Sequence, residues 1–146
     1  MFTKILLAYD GSDHAKRALS TAAAVAKAFG AELHLSHAPQ IETPPIVVGS
    51  CVGALDIPPT DEQVAEAGEH IANEVAGLAE GLGVSLAGRH VGRGDAATYT
   101  LKVADEIGAD LIVMGRRGLG AFGALALGSV SQDIAHGAKC ACMTVV

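Results

Sequence analysis

The chain has 146 residues, a formal net charge of -6 at pH 7, and a composition that is half apolar but only 3% aromatic. That length suits one buried core, so we expect a single domain over residues 1–146. With no basic stripe to attract nucleic acid and no apolar run near the ~18 residues of a membrane span, we expect a cytoplasmic protein with no nucleic-acid partner and no membrane segment.

Short apolar runs alternate with amphipathic stretches from the start of the chain. Residues 4–9 (KILLAY) predict a buried strand, and Ser12 is placed to cap a helix that ends at Gly30. Residues 31–38 predict a second strand. The helix between them is expected to bury one face, made of Ala15, Leu19, Ala22, Ala26 and Phe29.

Residues 39–59 contain all five prolines and no regular period, so they predict one long loop. A structureless segment of about twenty residues is usually functional or mobile. Thr60 and Gln63 then fit a capping box, which predicts the start of a helix that runs to about Gly81.

The second half of the chain continues the alternation. Residues 84–91 and 110–115 predict two further strands, and Asp95 is placed to cap the helix between them. The expected buried face of that helix consists of Leu101, Ala104 and Ile107.

The C-terminal part predicts one more helix and one more strand. Ser129 and Gln132 fit a capping box, the helix ends near Gly137, and residues 142–146 (CMTVV) predict the last strand. Strands and helices in strict alternation favour a three-layer α/β/α fold with a parallel sheet and right-handed crossovers. Ligands of such folds bind outside the carboxyl ends of the strands, where the strand order reverses.

The segment 113–132 is rich in glycine and lies between the fourth strand and the last helix. Its only charges are Arg116 and Arg117, in a chain that is acidic overall. Glycines let backbone N–H groups approach an anion, and a helix start adds partial positive charge. The segment therefore predicts a phosphate site, and Asp10 would face it if the first and fourth strands flank the reversal.

Three better-known fingerprints do not fit this segment. Residues 118–123 (GLGAFG) satisfy G-x-G-x-x-G, but they lie three residues past the strand, and the next strand carries no acid. The chain also lacks the P-loop pattern G-x-x-x-x-G-K-[ST] and the nucleophile elbow G-x-S-x-G.

The spacing of the cysteines and histidines does not indicate a metal or catalytic site. Cys140 and Cys142 share one strand face, but no neighbouring His or Cys completes a set of four metal ligands. With Cys51 they make an odd number, and we interpret them as core or edge-strand thiols. The six histidines are interpreted as surface or satisfied core residues, with His34 and His37 on opposite faces of a strand.

Two stretches resemble the universal stress proteins: KILLAYDGSDHAKRAL at the N-terminal end, and GADLIV followed by MGRRGLGAFGALALGSVSQDI near the C-terminal end. The resemblance spans Lys4 to Val146. The spacing Gly115-x2-Gly118-x9-Gly128-Ser129 is similar to the signature of that family's ATP-binding branch.

The resemblance implies a five-stranded parallel sheet of the Rossmann-like, adenine nucleotide alpha hydrolase-like type, a homodimer, and bound ATP or another adenine nucleotide with Mg or Mn. It also implies a site built from the ends of three strands and the start of the last helix. The matched positions are Ala8, Tyr9 and Ala38 by the adenine; Asp10 by the ribose or metal; Met114 and Gly115 by the ribose; and Gly118, Gly128, Ser129 and Val130 by the phosphates. Arg116 and Arg117 would supply the positive charge.

Three functions follow as hypotheses. The first is a nucleotide-dependent regulatory or stress-response module that acts on an unidentified protein partner. The second is an enzyme that slowly hydrolyses ATP or transfers its phosphate, for which Asp10 is the one strong catalytic candidate. The third is an interaction module whose pocket holds another anion, such as a cyclic nucleotide. In each case we expect pairing of two chains through the apolar last strand, Met143–Val146.

Overall fold

The computed structural model describes residues 1–41, 46–47, 54–55, 58–117 and 127–146. Gly118 and Cys51, which the sequence analysis named, lie outside these residues. The elements in chain order are β1 (Lys4–Ala8), α1 (Asp13–Phe29), β2 (Glu32–His37), β3 (Ile46–Val47), β4 (Ala54–Leu55), α2 (Asp61–Gly81), β5 (Leu86–Val91), α3 (Ala96–Ile107), β6 (Leu111–Gly115), α4 (Ser129–Gly137) and β7 (Ala141–Val145).

Five strands form one parallel sheet in the order β5-β2-β1-β6-β7. From β1 the chain builds outward through β2 and β5 on one side, then returns to build β6 and β7 on the other. The strand order therefore reverses between β1 and β6. This confirms the predicted α/β fold and places the ends of the first and fourth strands of this sheet side by side.

The sheet separates two apolar layers, and β1 contributes alternate residues to each. Ile5 and Leu7 pack in the layer covered by α1 and α2, whereas Leu6 packs in the layer with α3 and α4. All three side chains are fully buried. A strand buried on both faces reads as a continuous apolar run, which is what KILLAY shows.

The first helix begins and ends where the sequence predicts. The Ser12 hydroxyl accepts the N–H of Ala15 at 3.2 Å, and Gly30 ends the helix in the left-handed conformation, at φ 63°. The predicted burial of Phe29 is wrong, because this residue is 45% exposed. Its ring packs edge-on against Phe2, with centroids 5.3 Å apart.

The caps of α2 and α3 are also confirmed. Thr60 and Gln63 form the reciprocal capping box, and an Asp95 carboxylate oxygen accepts the N–H of Thr98 at 2.8 Å. The buried face of α3 differs from the prediction, since Leu101 and Ile107 are only partly buried at its border. Its buried residues are Ala97, Thr100, Val103 and Ala104.

The predicted structureless loop over residues 39–59 is wrong at residues 46–47 and 54–55, while residues 39–41 and 58–59 have no regular structure, as predicted. Two short strands, β3 and β4, pair antiparallel there, with Ile46 opposite Leu55 and Val47 opposite Ala54. Apolar and β-branched residues favour such pairing, and the ladder satisfies backbone groups that a bare loop would leave to solvent.

No helix in the described part of the chain combines the length and the apolar character that a bilayer span requires.

Helix α2 has two interior glycines, and only Gly68 contacts β5, so the pair gives a matched test. A Cβ at Gly68 would overlap the Val91 side chain, whereas a Cβ at Gly77 would meet nothing within 4 Å. We expect Gly68→Ala to lower the free energy of unfolding by about 1–3 kcal/mol through overpacking. Gly77→Ala should raise it by up to about 1 kcal/mol through helix propensity. Urea denaturation of both variants measures the difference, and shifts of the same sign would contradict this account of the α2–β5 contact.

Candidate functional site

The candidate site lies at the carboxyl ends of β1 and β6, where the strand order reverses. After Tyr9 the chain turns sharply, with Gly11 at φ 85°, a conformation that favours glycine. Asp10 Oδ1 accepts the N–H of Ser12 at 3.0 Å, and Ser12 in turn caps α1. This turn places the Asp10 carboxylate and the start of α1 beside the end of β6.

Arg116 and Arg117 follow β6 and contact the starts of two helices. The N–H of Gly128, the residue that caps α4, donates to the Arg116 carbonyl at 2.9 Å. The hydroxyl of Ser12, which caps α1, donates to the Arg117 carbonyl at 3.4 Å. Helix N-termini carry partial positive charge, so both macrodipoles add to the two guanidinium charges at this edge of the sheet.

The start of α4 differs from the prediction, and the difference matters chemically. The predicted capping box of Ser129 with Gln132 is wrong: Gly128 is the N-cap, Ser129 is the first helical residue, and no side chain in the described part of the chain caps the helix. The bond from the Gly128 N–H to Arg116 sets this start. The first N–H groups of a helix have no intrahelical acceptor, so those of Ser129, Val130 and Ser131 remain as main-chain donors.

Ser131 fixes the end of β6 to the start of α4, a role that the sequence analysis missed. Ser131 is 4% exposed. Its hydroxyl lies 2.8 Å from the Gly115 carbonyl oxygen and 3.3 Å from the Arg116 carbonyl oxygen. A serine at the third helical position was the available signal, but it gives no indication of a partner 16 residues earlier.

Gly115 has a packing reason to be glycine. A Cβ there would lie 2.9 Å from the backbone carbon and from the Cβ of His14. Real Cβ atoms do not approach that closely, so glycine permits the contact between the end of β6 and the first turn of α1. This close approach holds the end of β6 and the start of α1 together at the candidate site, which we call the crevice.

Three guanidinium nitrogens find no hydrogen-bond partner among the residues that the structure describes. They are Nε of Arg116 and Nε and Nη2 of Arg117, and all three are buried. Buried guanidinium donors are normally paired, and their strongest partners are carboxylate and phosphate oxygens. Together with the open donors of α4, they make a site with the chemistry of an anion receptor.

Tyr9, predicted beside an adenine, turns its side chain away from the crevice. The residue is 3% exposed and packs in the layer of α1 and α2, with its hydroxyl donating to Glu74 Oε1 at 3.4 Å. Burial, and then the Glu74 carboxylate, raise the pKa of Tyr9 to about 12, so the phenol stays neutral. Its main chain borders the crevice, and its carbonyl accepts a hydrogen bond from His37 Nδ1 at 2.7 Å.

His37 therefore joins the ends of β1 and β2, a role that its sequence position did not indicate. The interpretation of this residue as a satisfied core histidine is confirmed, because it is buried and bonded. Ala38 follows it at the same edge of the sheet, while Ala8 and Met114 face the layer of α3 and α4. The described candidate residues thus lie along the carboxyl ends of β2, β1 and β6 and at the start of α4. Val130, in the first turn of α4, is the last of these residues in the chain.

A doubly wound parallel sheet with an anion-receptive crevice at its reversal point belongs to the class of α/β folds that place ligand sites there. The model of the Universal stress protein family matches residues 1–145, and the chain belongs to that family. A universal stress protein of Thermus aquaticus is 42% identical over 146 residues, which cover 99% of each chain.

Solved structures show the same fold. A universal stress protein in complex with cAMP superposes with a TM-score of 0.70 at 25% identity, over 99% of this chain and 96% of that one. The universal stress protein from Archaeoglobus fulgidus in complex with dAMP has a TM-score of 0.67 at 20% identity, over 100% of this chain and 98% of that one.

Two serines of α4 allow a matched test, because Ser131 is buried and supports the crevice, whereas Ser129 is exposed. Ser131→Ala removes a buried hydroxyl and leaves the Gly115 carbonyl without that donor, so we expect a loss of about 1 kcal/mol in unfolding free energy. Ser129→Ala changes an exposed side chain and should alter stability by less than about 0.5 kcal/mol. Chemical denaturation compares the two, and equal losses would contradict the assignment of Ser131 as the link between β6 and α4.

Proposed function

We propose that the crevice between β1 and β6 binds an adenine nucleotide, with ATP as the physiological ligand, and that the protein acts as a nucleotide-dependent regulatory module in stress responses. One observation carries the proposal. The start of α4 meets the backbone of Arg116 and Arg117, and within the described part of the chain neither that helix start nor the buried guanidinium nitrogens of these arginines has a side-chain partner. The cAMP and dAMP complexes of solved relatives support an adenine nucleotide as the anion.

The phosphate contacts in this proposal come mainly from backbone. The N–H groups of Ser129 and Val130 point out of the helix start, and Arg116 and Arg117 supply the charge. The Gly128 N–H already donates to Arg116, so the donors begin one residue later than the sequence indicated. Gly118 is proposed to approach the phosphates through its backbone.

The adenine and ribose are proposed to lie across the strand ends. Ala8 and Ala38 leave room for the base because their side chains are small. The Tyr9 N–H donates to the Ser36 carbonyl, so the polar group proposed to face the base is the Tyr9 carbonyl, through the lone pair that His37 does not use. Met114 and Gly115 border the ribose in this proposal, and Asp10 lies within the same turn to accept a ribose hydroxyl or approach a metal.

A divalent cation fits such a site only with the help of the nucleotide. The described residues hold no cluster of three His, Cys, Asp or Glu side chains able to bind an ion. Mg²⁺ commonly takes one or two carboxylates and completes its shell with substrate phosphates and water. Asp10 can supply one such carboxylate, so Mg or Mn is proposed to enter with the nucleotide.

The proposed output is occupancy of the site rather than turnover. Phosphoryl transfer needs a nucleophile or water held in line with the leaving oxygen. Asp10 Oδ1 accepts the Ser12 N–H and so takes part in forming the turn. A bound nucleotide would instead engage the Arg116 and Arg117 side chains and present a changed surface to a partner protein.

Nucleotide binding should depend on the two arginines. We expect ATP with Mg²⁺ at 100 times its dissociation constant to raise the unfolding free energy by about 2.7 kcal/mol. The double variant Arg116→Gln/Arg117→Gln loses charge-assisted hydrogen bonds to phosphate, so its ATP affinity should fall at least about tenfold. Titration calorimetry measures the affinity, and thermal unfolding measures the stabilisation.

The matched control for this experiment is Arg89→Gln. Arg89 is an exposed arginine of β5, far from β6 in the sheet order, and its Nη1 donates to Asn73 Oδ1 at 2.9 Å. It should bind ATP as the unaltered protein does. Unchanged affinity in the double variant would reject the phosphate assignment, and a loss in Arg89→Gln would show a nonspecific charge effect.

We further propose that the protein forms a homodimer through β7, the edge strand next to β6. The Ala141 N–H and the Val145 carbonyl bond toward β6. Because main-chain groups alternate sides along a strand, those of Cys142 and Thr144 face the open edge. Such an edge is a template for another strand.

Thr144→Pro tests the edge without touching the bonds to β6. Proline removes one outward N–H and is tolerated on the solvent side of an edge strand. We expect this variant to be monomeric by light scattering, while Thr144→Ala, which keeps the N–H, stays dimeric. A dimer in both variants would place the interface elsewhere.

A further inference from the structure

Two histidines come together on adjacent strands, away from the crevice. His34 of β2 and His90 of β5 lie diagonally in the sheet, since His34 is in register with Gly88 and His90 with Ser36. Their ring planes are inclined by 27°, with centroids 5.6 Å apart, and His34 Nδ1 lies 3.4 Å from His90 Nε2. The intervening Arg89 bonds to α2 on the opposite face of the sheet. The two imidazoles therefore form a hydrogen-bonded pair on the face that carries α3.

Glu32 decides which nitrogen of each ring carries a proton. His34 Nε2 lies 3.4 Å from Glu32 Oε2. An ionised carboxylate only accepts hydrogen bonds, so Nε2 is the N–H group of a neutral His34. Its Nδ1 then holds a lone pair and accepts the Nε2–H of His90. The neutral pair thus places one donor and one acceptor between β2 and β5.

This arrangement accepts one additional proton but not two. A first proton binds His90 Nδ1 and leaves the Nε2–H of His90 directed at His34. A second proton would have to bind His34 Nδ1, so that two N–H groups and two positive rings faced each other at 3.4 Å. A protonated imidazole has no acceptor nitrogen, so the hydrogen bond would be lost and the like charges would repel.

The ring of His34 lies against β5, which is the edge strand of the sheet. A Cβ at Gly88 would lie 2.5 Å from His34 Nδ1 and 2.9 Å from His90 Nε2, so glycine at this position makes room for both rings. The His34 side chain is 11% exposed, so it has little freedom to turn into water while β5 stays paired. Relief of the repulsion therefore falls on the pairing of β5 with β2.

Charged groups from β2 and α3 act on the pair. Glu32 on β2 faces His34, and Glu106 on α3 acts on His90. Burial, and then His34, lower the pKa of His90, whereas Glu106 raises it. Lys102, also of α3, pairs with Glu106 at 3.6 Å and so weakens this effect. The net result keeps His90 neutral to a lower pH than an isolated histidine.

We propose that His34 and His90 form an acid-sensitive contact, which holds the edge strand β5 to β2 at neutral pH and releases it on acidification. The released strand lets the pair take up the second proton. Because the released state binds more protons, strand pairing is fully stable above the ordinary histidine pKa of about 6.5 and weakens as the pH falls below it. The proposal does not depend on the nucleotide crevice, which lies on the opposite side of β1.

Nuclear magnetic resonance of the full chain, free of nucleotide, tests the pair. The ring resonances of His90 are followed from about pH 8 to about pH 5. In His34→Gln, which removes the neighbouring positive charge, the titration midpoint of His90 should move to higher pH. In Glu106→Gln, which removes the carboxylate that favours protonation, it should move to lower pH. A midpoint that does not move in His34→Gln would overturn the proposal.

The unaltered chain gives a second test that needs no variant to fold. At neutral pH, the ring ¹⁵N shifts should show the proton on Nε2 of both His34 and His90. A proton on His34 Nδ1 at neutral pH would reject the pairing and the acid-sensitive contact with it.

Amide hydrogen exchange tests the release of the strand. Protection factors, which are corrected for the intrinsic effect of pH, should fall about tenfold for residues 88–91 between about pH 7 and about pH 5.5, since release is coupled to the uptake of about one proton. Protection of the central strand β1 should fall less. Equal protection of β5 at both pH values would show that the rings part without moving the strand, and an equal loss in β1 would show a global effect; either result would overturn the proposal.

Two variants complete the exchange experiment. The double variant His34→Gln/His90→Gln, checked for the native circular dichroism spectrum, should lack the acid-dependent loss of protection in β5. His70→Gln changes an exposed histidine of α2 and should keep that loss. The same loss in the double variant as in the unaltered chain would assign the acid sensitivity to other groups and reject the contact.

Discussion

The crevice depends on the main chain of one residue, Arg116. Its N–H donates to the Val145 carbonyl at 2.7 Å, and its carbonyl accepts the Gly128 N–H at 2.9 Å. The first bond extends the pairing of β6 with β7, and the second sets where α4 begins. An edge strand, a central strand and a helix start therefore meet at the backbone of one residue.

Small residues make this close assembly possible. Gly115 lets the end of β6 touch the first turn of α1, and Gly68 does the same for α2 against β5. Alanines dominate the buried face of α1. Because helices with small faces approach a sheet closely, the ends of β1 and β6 and the starts of two helices share one small volume. Backbone groups then define the candidate site more than long side chains do.

Much of the candidate site was visible in the sequence because its signals are local. Asp10 and the Arg116–Arg117 pair follow buried strands directly, and parallel strands present their carboxyl ends at one edge of a sheet. Ser131 and His37 were missed because their partners, Gly115 and Tyr9, are distant in sequence. The predicted cap of α4 was wrong for a related reason. Ser129 fits the sequence pattern of a cap, but the hydrogen bond between Gly128 and Arg116 makes Gly128 the N-cap.

The sequence by itself determined the type of fold and the N-terminal caps of the first three helices. Each of these rests on hydrophobic period or on hydrogen bonds within a few residues. Tertiary structure alone decided the register of neighbouring strands, and register brought His34 to His90 across 56 residues. It also decided that the Tyr9 side chain enters the core and that Phe29 stays exposed. Those outcomes depend on which surfaces meet after the chain has closed, and no local pattern encodes that.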